Sequence, residues 1–244
     1  MSAKLTKLRT QFTKDHGKGT LTSWNKVVDL PRFAFPLPKL NHIFGGGVPL
    51  GRLIQLFGKE SGGKSTVANA IAGAFQAAGK TILHLEPECS FDPVFTKRTC
   101  NYDVTDEDSV IFSQEQNINK CYNMMKDAAK NGIDLILCDS IDALVAPSME
   151  EQEATDSQMG IKARAHANQL PVLTGFMQKS GTVVIYISQI RYKIGVAPGS
   201  NPETTSGGEA IRFFSSLRGR VVRKSWITKG SEDSPIGLEM LIKM

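Results

Sequence analysis

The stretch Gly58-Lys59-Glu60-Ser61-Gly62-Gly63-Lys64-Ser65 decides the fold of this chain. It fits the phosphate-binding pattern G-x-x-x-x-G-K-[ST]. It also lies where that pattern works, after the apolar run Leu53-Ile54-Gln55-Leu56-Phe57 and before a helix-like stretch, Thr66 to Ala78. Glycine has no Cβ, so successive backbone N–H groups can turn inward on phosphate oxygens without a side-chain clash. The following helix adds its positive N-terminal end. Lys64 is placed to reach β and γ oxygens, and Ser65 to offer its hydroxyl to Mg²⁺. A chance glycine turn has no reason to be framed by a strand and a helix. The sequence therefore predicts a nucleoside-triphosphate site built by residues 58–66.

Outward from this loop, strands and helices alternate. Apolar runs predict strands at Leu53–Phe57, Thr81–Glu86, Val110–Phe112, Leu135–Cys138 and Thr182–Ser188. Helical patterns at Thr66–Ala78, Asn119–Asn131 and Ile161–Lys179 separate most of them. Such alternation predicts an α/β fold, a mostly parallel sheet with helices on both faces and ligands at the carboxyl ends of its strands. Before it, residues 1–26 carry six lysines and arginines against Asp15, with Leu5, Leu8 and Phe12 at helical spacing. This predicts a small N-terminal helical appendage over residues 1–30, packed on its own domain or docked on a neighbouring subunit. Leu30 to Val48, with Pro31, Pro36, Pro38 and Gly45-Gly46-Gly47, reads as a linker with turns. Residues 31–244 form the expected core.

Two further strand ends carry carboxylates. Ile133 to Cys138 is an apolar strand closing on Asp139, about seventy-five residues after the phosphate loop, where an acid can hold the Mg²⁺ directly or through water. Leu85-Glu86-Pro87-Glu88 ends another strand. A carboxylate near the γ-phosphate can orient and deprotonate water, and Glu86 and Glu88 both qualify, as does a plain solvated pair. The hydrophilic segments 149–159 and 191–209 are too polar for a core and too long for simple connections. Lys162, Arg164, Arg191 and Lys193 border them and can contact phosphates.

Bulk properties set outer limits. The chain has 244 residues, 41% hydrophobic and 22% charged, an ordinary globular composition with a net charge of +5 that suits a nucleic-acid partner. No apolar stretch approaches the ~18 residues of a membrane span, and the polar start lacks a signal-peptide core. The four cysteines show no metal-ligand spacing, and reduced thiols in a cytoplasmic protein are the expectation.

The chain resembles the bacterial RecA recombinase family. The match is strongest from Ile187-Ser188-Gln189-Ile190-Arg191-Tyr192-Lys193-Ile194-Gly195-Val196 to Asn201-Pro202-Glu203-Thr204-Thr205-Ser206-Gly207-Gly208, which looks like the family's second DNA-binding loop. Asp156-Ser157-Gln158-Met159-Gly160 looks like the end of its first. Glu86-Pro87-Glu88-Cys89-Ser90-Phe91-Asp92-Pro93 resembles the family's Asp-Ala-Glu-His-Ala-Leu-Asp-Pro, and Phe12 with Gly17-Lys18-Gly19 echoes its start. The resemblance implies a RecA-like P-loop ATPase core that uses ATP and Mg²⁺, forms a helical homo-oligomeric filament on single-stranded DNA, and pairs it with double-stranded DNA in recombinational repair. Glu88 then matches the carboxylate that activates water, Asp92 the adenine reader, and Phe95 a tyrosine against the ring. Gln189 matches the γ-phosphate sensor. Met159, Arg164, Ile194, Gly207 and Gly208 match positions that face single-stranded DNA.

Departures accompany the match. Pro171 replaces a residue that is often basic in the family, Glu209 a small polar one and Pro198 an aromatic. The chain closes at Leu241-Ile242-Lys243-Met244, inside what resembles the last core strands. Lysines that reach a neighbour's nucleotide, and a C-terminal domain, are therefore expected to be absent. Two other functions stand beside the recombinase. A hexameric helicase of the same fold would form closed rings, and a DNA-binding or filament-regulating protein would lack productive turnover.

Overall fold

The computed structural model describes residues 3–21, 30–146, 157–192, 195, 199, 202–229 and 235–244, with backbone alone at 157–159. The chain divides into two compact units, Met1–Pro31 and Arg32–Met244. The first contains helix α1 (Ala3–His16), in which the threonine hydroxyls of Thr10 and Thr13 bond back to carbonyls one turn earlier.

The second unit is an α/β layer structure. Its elements in order are β1 (Arg32–Phe33), α2 (Pro38–Ile43), β2 (Val48–Pro49), β3 (Leu53–Gly58), α3 (Lys64–Ala77), β4 (Ile82–Leu85), α4 (Pro93–Cys100), β5 (Val110–Ser113), α5 (Ile118–Lys130) and β6 (Leu135–Cys138). A 3-10 turn (Ile141–Ala143) leads to α6 (Ser157–Ser180), β7 (Val183–Tyr192), β8 (Glu203–Thr205), α7 (Gly208–Phe214), β9 (Ser215–Thr228) and β10 (Pro235–Lys243). The main sheet runs β5-β4-β6-β7-β3-β9-β10, parallel except for the antiparallel edge strand β10, and β8 pairs antiparallel with the end of β7 off this path.

Alternation along the strands splits the core in two. Ile54, Leu56, Leu135, Leu137, Val183 and Ile185 face the side covered by Val67, Ile71 and Phe75 of α3. Leu83, Leu85, Ile136, Cys138, Val184 and Tyr186 face the side covered by α5 and α6 through Tyr122, Met125, Leu173 and Met177. The period-2 geometry of a strand dictates this division, and burial on both faces explains why these runs are mostly apolar, with Gln55 of β3 and His84 of β4 the buried polar exceptions.

The predicted strands and helices lie within a residue or a few of those observed. The segment read as a linker is a correction. Phe35, Phe44 and Val48 are buried in the α3-side core, and the short ladder β1–β2 fixes that hairpin. Its prolines and glycines mark tight turns within the packed domain. Cys100, Cys121 and Cys138 are buried and Cys89 is exposed, all four as free thiols. Among the described residues no helix is long and apolar enough to cross a membrane.

Candidate functional site

The phosphate loop leaves β3 at Gly58 and enters α3 at Lys64, turning through Ser61 (φ 52°) and Gly63 (φ 91°). A Cβ on Gly58 would overlap the Val221 carbonyl of β9, and one on Gly62 would lie 3.0 Å from the Lys59 carbonyl. Glycine is thus required by close approach at Gly58 and by conformation at Gly63. Gly63 lies under Met240 and Leu238 of β10, and the Arg223 guanidinium reaches the Ser61 carbonyl at 3.4 Å. The edge hairpin therefore backs the loop.

Lys64 is buried, its ammonium donating to the Lys59 carbonyl at 2.9 Å. Burial pulls its pKa down, opposed by the carboxylates of Asp139, Glu88, Asp142 and Glu60. The loop thus holds a largely desolvated cation at its centre, with Lys59, Glu60, Gly62, Ser65 and Thr66 around it. Asp139 is 8% exposed. Burial pushes its carboxyl up to about 6; the Ser65 hydroxyl bond and Lys64 oppose this, and Glu88 and Glu86 reinforce it. Ser65 and Asp139 are therefore already in contact, the two side chains expected to hold Mg²⁺. Among the described residues no group of three or more His, Cys, Asp or Glu is arranged to hold a metal.

The structure separates the two glutamates at the end of β4. Glu86 is 3% exposed; its Oε1 accepts from the Ser90 amide and hydroxyl, and burial raises its pKa. Glu88 is exposed, faces Lys64 and Asp139, and accepts a hydrogen bond from the Ser140 hydroxyl. An accessible carboxylate beside the phosphate loop is the geometry a water-activating base needs. Asp92 is exposed and caps α4, its Oδ1 accepting from the Phe95 amide at 2.9 Å, while the Phe95 ring is 57% exposed.

Gln189 lies directly opposite Gly58 in the parallel β3–β7 register. One rung of the sheet thus joins the first phosphate-loop glycine to the proposed sensor. The Gln189 backbone N–H donates to Asp142 Oδ2 at 2.8 Å, leaving its side-chain amide out of this bond. Arg191 follows on β7, donating from Nε to the Ser206 hydroxyl at 2.9 Å. Arg164 is exposed on α6. Gly207 (φ 86°) and Gly208 (φ 74°) open α7, and a Cβ on Gly207 would overlap Ile211. The 191–209 segment is therefore not loop throughout, since β7, β8 and α7 claim both its ends. Lys193, Ile194, the Met159 side chain, Pro198 and most of the first loop lie outside the described residues.

Lys162, beside the first polar segment, donates from its ammonium to the Asp142 carbonyl at 3.0 Å, and burial lowers its pKa. Neither Ser140 nor Asp142 carries a motif signal of its own. Only their position just after the carboxylate-ending strand β6 hints that they face the site.

Loop, carboxylates and amide converge at the carboxyl ends of β3, β4, β6 and β7, which defines a phosphate-loop α/β domain. The pattern of the RecA N-terminal domain family matches residues 4–244, and the chain belongs to the RecA family. It is 35% identical over 237 residues to Protein RecA of Fusobacterium nucleatum subsp. nucleatum. The aligned region covers 96% of this chain and 61% of that relative.

Proposed function

We propose that this chain is the ATP-hydrolysing, DNA-binding core of a cytoplasmic recombinase. It assembles with copies of itself along single-stranded DNA and pairs that strand with homologous double-stranded DNA. The observation that carries the reading is the meeting of Lys64, Glu88, Asp139 and Gln189 at one end of the sheet of a RecA-family chain. Lys64 and the inward-turned amides of residues 58–65 hold the phosphates. Ser65 and Asp139 would hold Mg²⁺, which would neutralise charge on the phosphate oxygens. Asp92 and Phe95 face the base. Glu88 takes the proton of a water whose oxygen attacks the γ phosphorus, while the bond from that phosphorus to the β,γ-bridging oxygen breaks and ADP keeps the electron pair.

Gln189 links this chemistry to DNA. An amide at a strand end donates to a γ-phosphate oxygen while triphosphate is present and loses that partner after hydrolysis. The arms that follow carry Arg191, Gly207 and Gly208, with Lys193 and Ile194 between them and Arg164 and Met159 on the other loop, as the DNA-facing set. Contacts to phosphate through cations and backbone amides are indifferent to sequence, as a general recombinase needs.

A labelled oligo-dT titrated with the chain tests this reading by anisotropy. A non-hydrolysable ATP analogue with Mg²⁺ is expected to tighten binding about tenfold or more over ADP, within the usual range of coupling between sites. Affinity should also fall steeply with salt. Binding that ignores the nucleotide contradicts the switch.

A further inference from the structure

The turn that follows Asp139 reaches further than the metal site. Its third residue, Asp142, has a side chain only 5% exposed, yet both carboxylate oxygens are engaged. Oδ2 accepts the backbone N–H of Gln189 at 2.8 Å, so it fixes the strand that carries the sensor side chain. Oδ1 accepts the Ser206 hydroxyl and lies 3.5 Å from Arg191 Nη2. The backbone carbonyl of the same residue accepts the Lys162 ammonium at 3.0 Å. Asp142 thus holds the strand end that bears the sensor, the returning arm of the second loop, and the helix into which the first loop runs.

The other residues of the turn point back to the nucleotide. Asp139 is bonded to Ser65, and the Ser140 hydroxyl is bonded to Glu88. Ile141 is buried against the position of Gly207. Four consecutive residues therefore span from the phosphate loop to both DNA-loop bases. A buried carboxylate is costly unless its oxygens are satisfied, so this set of bonds forms and breaks as a unit.

We propose that Asp142 is the positioning residue that transmits nucleotide state from the phosphate site to the two DNA loops. It acts through Gln189, Arg191, Ser206 and Lys162 and touches neither nucleotide nor DNA. The proposal rests on the reading of Gln189 as the phosphate sensor.

The test uses the 244-residue chain as wild type, Asp142→Ala and Asp142→Asn, with hydrogen exchange followed by mass spectrometry with and without a non-hydrolysable ATP analogue and Mg²⁺. In the wild type the analogue is expected to slow exchange in residues 58–65 and also in 188–192 and 203–206. In Asp142→Ala the response at 58–65 persists, while the response at 188–192 and 203–206 falls about tenfold, the size of a typical coupling between sites. Asp142→Asn keeps an acceptor for the Gln189 backbone N–H but loses the charge beside Arg191, so part of the response returns. A residue that merely stabilised the fold would lower melting temperature and all responses together.

Equal responses in wild type and both variants overturn the proposal, as does a wild type in which only 58–65 responds. Should Asp142→Ala fail to fold, Asp142→Asn decides alone, and a response equal to wild type overturns the proposal. No DNA is present in this experiment. Loss of nucleotide-dependent DNA binding in the anisotropy titration would sink the recombinase reading and leave the exchange result standing.

Discussion

Two carboxylates show how much a single residue's surroundings decide. Glu86 and Glu88 are two positions apart at the end of one strand, and the sequence alone leaves the choice of base open. The resemblance favours Glu88, and burial of Glu86 against the Ser90 amide supports the same choice. Asp139 makes a sharper prediction. Burial raises its pKa from the ordinary 3.8 to about 6. A raised carboxyl favours the fold while it is protonated, below the unfolded value, and loses that contribution as pH rises through the folded one. At neutral pH the ionised Asp139 therefore costs the nucleotide-free protein roughly 3 kcal/mol, which a bound cation offsets. Asp139→Asn is expected to raise the nucleotide-free melting temperature at pH 7.5 by roughly 6 °C or more, at about 2–4 °C per kcal/mol for a chain of this size. The gain should shrink as pH falls from 6 towards 4, and Mg²⁺-dependent nucleotide binding should weaken. Calorimetry across this range checks it; a variant that melts lower at pH 7.5 contradicts it.

Among the elements, the strand–loop–helix unit of β3 and α3 is the most demanding. Gly58 passes so close to the Val221 carbonyl that Gly58→Ala must push β9 away from β3. The expected cost is roughly 2–4 kcal/mol, in the range of overpacked and strained sites, read as a lower denaturation midpoint with an unchanged m-value. An alanine variant as stable as wild type would show that the β3–β9 approach is looser than described. This unit was legible because its pattern and context agree. The central strands were legible because parallel strands covered on both faces are near-continuous apolar runs. β9 and β10 escaped for the opposite reason. Arg218, Arg220, Arg223 and Lys224 interrupt the apolar residues of β9, its last six residues are all exposed, and no residue of β10 is fully buried. Helix α4 went unpredicted because it is only eight residues long, and its Asp92 cap shows only in three dimensions. The segment around Phe35 and Phe44 was misread because proline and glycine mark packed turns as readily as linkers.

For the whole molecule, the fold class follows from the alternation of elements, and the family match over residues 4–244 agrees, while the strand order shows only in three dimensions. The site was legible as a set of strand ends. What bridges them was not, because Ser140 and Asp142 act through contacts between segments remote in sequence. The chain spans 61% of the relative it matches, so its activity is a matter for direct measurement. The most direct test of the central claim is the rate of ATP hydrolysis with and without single-stranded DNA, in the wild type and in Glu88→Gln. The account predicts strong DNA stimulation in the wild type and a loss of about a hundredfold or more in the variant, the usual contribution of a general base. DNA binding without stimulated turnover, or a Glu88→Gln variant that hydrolyses ATP as fast as wild type, would contradict it.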